Sequence, residues 1–252
     1  SQGVSYNYEK QFKQALNCFT SKTPGYIAIC NGIITQIIGQ LYNEYKIENA
    51  DFLKMKRIEK AISSVIPADK EVMTAAKERQ AQLAKPPGSL GVLEELSIRV
   101  AGMTGKIHNK AEKCRIIVLC ADNGVCDEGV SCTPQSVTLS QTINLTRGMT
   151  GASSLAKHFG DEIVVVDVGV MTDYNCPAVI NRKIAYGTKN LYLEPAMTRE
   201  EAEKAICVGL EMADKCAEDG VDAIGVGEMG IGNTTTSSAI LSAFTGISAK
   251  TT

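Results

Sequence analysis

The stretch CRIIVLCADNG, Cys114 to Gly124, decides the fold. Its first half is a short, continuous apolar run, and its second half turns abruptly to acid, amide and glycine. Such a run suits a strand buried on both faces, as in a parallel sheet. Two further stretches have the same shape: EIVVVDVGV (Glu162 to Val170) and VDAIGVGEMG (Val221 to Gly230). Helical patterns separate them. In PQSVTLSQTINLTRG, Pro134 suits the first helical position. In MTREEAEKAICVGLEMADKCAEDG, Thr198 and Glu201 form a capping box and Gly220 ends the helix. Ala202, Ala205, Ile206, Leu210, Ala213 and Ala217 line one face of that helix. Strand, helix, strand, helix, strand predicts an α/β fold, a Rossmann-like parallel sheet flanked by helices.

Upstream the pattern is helical. Residues 1–65 are expected to form a smaller helical N-terminal segment, and residues 66–252 the α/β core. YIAICNGIITQIIGQLY, Tyr26 to Tyr42, is uncharged, but two glutamines and an asparagine break its apolar run. It reads as a buried helix and not as a membrane span. Pro67 interrupts the helical pattern, and Asp69 then suits the N-cap of KEVMTAAKERQAQLA. KPPGSLG, Lys85 to Gly91, is a rigid turn, and the helix VLEELSIRVAGMTG follows it.

The bulk numbers bound the function class. The chain has 252 residues, 44% of them hydrophobic and 21% charged, enough for a core of ordinary globular kind. A net charge of −2 and the lack of a basic stripe argue against a nucleic-acid partner. The nine cysteines form no CxxC pair, and only two histidines accompany them. Free thiols in a reducing cytoplasm are the reading, with no metal and no cofactor. The chain starts SQG, without methionine, which suggests a processed or tag-cleaved start.

In open α/β sheets, ligands bind beyond the carboxyl ends of the strands. Here those exits are ADNGVCDEG, DVGVMTDYN and GEMGIGNTT, which carry Asp122, Asp127, Glu128, Asp167, Asp173 and Glu228. Asp122 and Asp167 read equally well as turn caps, whereas Glu228, among glycines at a strand exit, is favoured as a site residue. The run Thr234 to Ser238 serves either a ligand or a helix start. His158, before Gly160, reads as a partner of a helix C-terminus. GVGEMGIGNTTTSSA, Gly225 to Ala239, suits an anion, because glycines admit close backbone approach and a helix N-terminus follows. It has no lysine, so it is not a Walker A loop, and it only half-fits a dinucleotide fingerprint. The residues alone reach an α/β enzyme for an anionic small molecule.

Five strings then become specific together: KPPGSLG, CADNGVCDEGVSCTPQSVTLSQTINLTRGMTGASSLAKHFG, VVVDVGV, GTKNLYLEPAMTREEA and GVGEMGIGNTTTSSAILSAFTG. In this order and spacing they resemble the nicotinate-nucleotide–dimethylbenzimidazole phosphoribosyltransferase family, from about Ile66 to the end. The resemblance implies transfer of 5-phosphoribosyl from nicotinate mononucleotide to 5,6-dimethylbenzimidazole, a step of cobalamin assembly that yields α-ribazole 5′-phosphate and nicotinate. It implies that GEMGIGNTT holds the nucleotide, with Glu228, Gly230, Asn233 and Thr234 as substrate residues. For the benzimidazole it implies Thr133, where serine is common, and Gln141. Asn123 stands where the family often has histidine, and asparagine cannot titrate near neutrality. The family's catalytic glutamate lies in sequence beyond Thr252, with the rest of the sheet, leaving Glu228 as a secondary candidate. Residues 1 to about 60 resemble an added helical segment, and a homodimer is implied. Two alternatives remain: a shortened homologue that binds nucleotide or azole without turnover, and a transferase for another acceptor, such as a different benzimidazole, adenine or a phenol.

Overall fold

A computed structural model of the protein describes residues 50–251, with side-chain surroundings from residue 57. The expectations for Tyr26 to Tyr42 and most of the N-terminal helical segment lie outside the described residues. In chain order the elements are α1 (Ala50–Ser63), α2 (Lys70–Gln82), α3 (Val92–Thr104), β1 (Cys114–Ala121), a 3-10 turn (Gly124–Glu128), α4 (Val137–Thr146), α5 (Gly151–Phe159), β2 (Glu162–Gly169), β3 (Val179–Asn181), α6 (Arg199–Glu218), β4 (Ala223–Met229) and α7 (Asn233–Thr245). They fall into two compact units, residues 55–110 and residues 50–54 with 111–251.

The first unit is helical. Asp69 caps α2 as its sequence position predicts, its Oδ1 accepting from the N–H groups of Glu71 and Val72 at 2.9 and 3.1 Å. α2 and α3 pack closely where Gly102 meets Met73; a Cβ there would lie 2.5 Å from Met73 Cγ. The KPPGSLG turn is closed by Glu94, whose Oε1 accepts from Lys85 Nζ at 2.7 Å and from Leu90 N–H at 3.2 Å.

The second unit is built on a parallel sheet of order β3-β2-β1-β4. The three apolar runs that end in acid and glycine are β1, β2 and β4. β1 is paired on both sides, and alternation along it feeds two cores. Val118 and Cys120 face α4 with Leu145, Val165 and Val170. Ile117 faces α6 with Val166, Val208, Met212 and Cys216. Burial on both faces explains why β1 and β2 read as unbroken hydrophobic runs.

Two sequence readings are corrected, and one element was missed. α4 begins at Val137, not Pro134: residues 134–136 form a turn, in which Val137 N–H donates to Pro134 O at 3.0 Å. On α6 the buried row is Val208, Met212 and Cys216, while Ala213 and Ala217 are exposed. The buried face is thus turned by about one residue position, roughly 100°, because the bulkier side chains fill the space against β1 and β2 that alanine would leave empty. Finally, the short strand β3 gave no signal, having only three residues in a polar stretch. The capping box of Thr198 and Glu201 is present, as is the left-handed Gly220 after α6. The cysteines of the described residues are free thiols.

Candidate active site at the strand exits

Most acids of the carboxyl edge are consumed by structure. Asp167 is buried, and its Oδ1 accepts from the N–H groups of Gly169 and Val170 at 3.0 and 2.8 Å, capping the turn after β2. Asp122 Oδ2 accepts from Met171 N–H at 2.7 Å, tying the β1 exit to the β2 exit; its Oδ1 is buried without a partner among the described residues. Asp173 accepts from the Tyr186 hydroxyl at 2.9 Å, and Glu128 from Asn190 Nδ2 at 2.7 Å. Gly124 is packed so tightly that a Cβ would lie 2.6 Å from Thr188 O. These contacts make the first two exits a rigid floor.

Glu228 stands apart. It pairs in register with Leu119 at the end of β4, and the residue as a whole is exposed while its carboxyl is partly shielded. Partial burial of the carboxyl raises its pKa, against a lowering by Asn233, whose Nδ2 donates to Oε1 at 2.5 Å. Four residues join Glu228 to Asn233 through a tight turn. Gly230 is buried there, and a Cβ on it would fall 2.2 Å from Ala121 O. Gly232 has φ +84°, a left-handed conformation that suits glycine, and precedes the first residue of α7.

The N–H groups of this turn are unequally available. Ile231 N–H donates to Thr138 Oγ1 at 3.1 Å, Asn233 N–H to Gly230 O at 3.1 Å and Thr235 N–H to Gly232 O at 3.1 Å. Among the described residues, those of Gly232 and Thr234 donate to nothing. Two unengaged donors at a helix N-terminus, beside one carboxylate, form a small anion seat with an acid at its rim.

Of the six residues the resemblance singles out, Glu228, Gly230, Asn233 and Thr234 therefore share one turn. Thr133 lies before α4, its N–H donating to Ser131 Oγ at 3.1 Å, and Gln141 lies half-buried within α4. The Gln141 amide has no partner among the described residues. No hydrogen bond among the described residues joins Thr133 to Gln141. Sequence reasoning missed Thr138. A hydroxyl on a helix face otherwise carrying buried Thr142 and Leu145 was the available signal. Among the described residues no group of three or more His, Cys, Asp or Glu could hold a metal ion, and no helix is long and apolar enough to cross a membrane.

Comparison with known proteins identifies the family of the chain. Residues 65–252 match a family model described as phosphoribosyltransferase. The chain is 46% identical to the nicotinate-nucleotide–dimethylbenzimidazole phosphoribosyltransferase of Clostridium tetani over 188 residues, which are 75% of this chain and 52% of the relative. With the enzyme of that name from Ruminiclostridium cellulolyticum the identity is 51%, over 75% of this chain and 53% of the relative. The crystal structure of the enzyme of that name from Thermus thermophilus superposes with a TM-score of 0.67 at 40% identity, covering 69% of this chain and 53% of that one. The chain thus spans about half the length of the curated relatives it matches. On a match of this extent, the chain belongs to the nicotinate-nucleotide–dimethylbenzimidazole phosphoribosyltransferase family.

Proposed function

We propose that this protein serves the transfer of 5-phosphoribosyl from nicotinate mononucleotide to 5,6-dimethylbenzimidazole in cobalamin assembly. The observation that carries the proposal is the β4 exit: two unengaged backbone donors, at Gly232 and Thr234, beside the carboxylate of Glu228. The donors fit a 5′-phosphate, and the carboxylate fits a ribose that gains positive charge as its glycosidic bond breaks. Nicotinate departs from a pyridinium, so its bond is already activated. An azole nitrogen attacks the anomeric carbon from the opposite face, forming the new C–N bond with inversion from β to α. The azole N–H then becomes acidic and is removed by a base. Thr133 and Gln141 are assigned to the azole, with the free Gln141 amide as its polar contact. A homodimer is part of the proposal and is checked by sedimentation of the protein.

The test supplies both substrates to the full chain and follows nicotinate release and α-ribazole 5′-phosphate by chromatography, with calorimetry for each ligand. Product formation supports the proposal. Binding without product favours a module that holds nucleotide or azole, and absence of nucleotide binding refutes the assignment of the turn.

A further inference from the structure

Two successive peptide units of the glycine turn, joined at Ile231, are gripped by residues far away in sequence. The carbonyl of Ile231 accepts from Asn123 Nδ2 at 3.0 Å and from Cys126 Sγ at 3.1 Å, both in the β1 exit. Its N–H donates to Thr138 Oγ1 at 3.1 Å, and Thr138 is fully buried on α4. Asn123 is itself held, since its own carbonyl accepts from Gln135 Nε2 at 3.1 Å. The flanking glycines leave no slack: a Cβ on Gly230 would meet Asn123 Nδ2 at 2.6 Å, and one on Gly232 would meet Cys126 Sγ at 2.8 Å.

We infer that Asn123 and Thr138 are positioning residues that aim the phosphate-binding amides of the turn. The reason is the planarity of the peptide. In a trans peptide the carbonyl of Ile231 and the N–H of Gly232 are opposed members of one rigid plane, and the described chain has no cis bond. Drawing the Ile231 carbonyl toward Asn123 and Cys126 therefore turns the Gly232 N–H the other way. The same holds one unit earlier. Thr138 fixes the Ile231 N–H, hence the Gly230 carbonyl, which accepts from Asn233 N–H at 3.1 Å and so sets the first turn of α7. That turn orients the Thr234 N–H, and its Asn233 side chain reaches Glu228. Only a donor can face the Ile231 carbonyl, which fixes the orientation of the Asn123 amide.

The inference rests on the reading of this turn as the nucleotide site. The test measures the affinity of the full chain for nicotinate mononucleotide and for dimethylbenzimidazole by calorimetry. Alongside it, amide hydrogen exchange is measured across residues 229–234. Asn123→Asp, which keeps shape but presents an acceptor, and Thr138→Val, which removes the acceptor of Ile231 N–H, should each weaken nucleotide binding about tenfold, the scale of one hydrogen bond. Azole affinity should stay within about twofold, and exchange should quicken in the turn only. Thr138→Ser keeps the hydroxyl and should restore nucleotide affinity. Two results overturn the inference: unchanged nucleotide affinity in both folded variants, or equal loss for both ligands, which marks general loosening. A wild-type protein that binds no nucleotide refutes the functional reading instead, and exchange then decides the grip by itself. Should one variant fail to fold, the other position carries the same test.

Discussion

Adding a single methyl group at Gly230 probes the junction between sheet and turn. The Cβ of Gly230→Ala would sit 2.2 Å from Ala121 O and 2.6 Å from Asn123 Nδ2. Contacts under 3.0 Å are essentially absent for real Cβ atoms, so the turn must retreat from β1 by about 0.8 Å. Backbone cannot yield as a flexible side chain does, and forced overpacking costs about 1–3 kcal/mol. For a chain of this size that corresponds to a fall in Tm of about 2–12 °C. The retreat also pulls Ile231 from its partners, so nicotinate mononucleotide affinity should fall more than tenfold while azole affinity changes little. Differential scanning calorimetry and titration of both ligands read these two effects. The mechanism is a collision with β1, not obstruction of the ligand by exposed bulk, because Gly230 is buried. A folded variant with unchanged Tm and unchanged nucleotide affinity would refute the reasoning.

Two further outcomes follow from named groups. Gln141→Ala should weaken azole binding more than nucleotide binding, by about 1–3 kcal/mol, the cost of an unmatched buried polar group; equal losses in calorimetry would remove Gln141 from the azole pocket. Hydrogen bonds from Arg182 and then Lys215 hold Glu211 at a pKa of about 2, below the usual carboxylate value of 4.5. A carboxyl whose pKa is lowered by folding contributes stability that is complete above 4.5 and is lost as pH falls toward 2. Glu211→Gln should therefore flatten the dependence of Tm on pH in that window, and an unchanged slope would count against the pairing.

How much the sequence disclosed differed by element. β1 and β2 were legible because a buried parallel strand needs apolar side chains on both faces; β4, at the sheet edge with Val226 exposed, was legible from its run into acid and glycine. β3 was not, because three residues carry no period. The α6 face was misread because alanines supply a regular stripe without the volume to fill the gap that Val208, Met212 and Cys216 occupy. The roles of Asp122 and Asp167 stood open between ligand and turn cap, and their backbone partners place both with the turns. Glu228 and Gly230 were visible through local spacing. The contacts of Asn123 and Thr138 with Ile231 cross 108 and 93 residues, and no local pattern reports a pairing at such separation.

What Glu228 does can be decided by chemistry that separates proton removal from charge stabilisation. Asn233 Nδ2 donates to its Oε1, occupying one carboxylate oxygen and joining it to the start of α7. Through Asn233, five residues on, it stands at the rim of the turn proposed to seat the phosphoribosyl group. A carboxylate there stabilises positive charge on the ribose as nicotinate leaves, an effect that does not depend on whether the acceptor carries a proton to lose. A general base acts only where there is such a proton. A benzimidazole methylated at one ring nitrogen still attacks through the other and forms the same C–N bond, but its product stays cationic and releases no proton. Glu228→Gln should therefore slow transfer to the N–H azole and to its N-methyl analogue alike, by about 10²–10³, the scale of a lost preorganised electrostatic contact. Single-turnover rates with both acceptors, at saturating nucleotide, measure this. Loss confined to the N–H azole would make Glu228 the base.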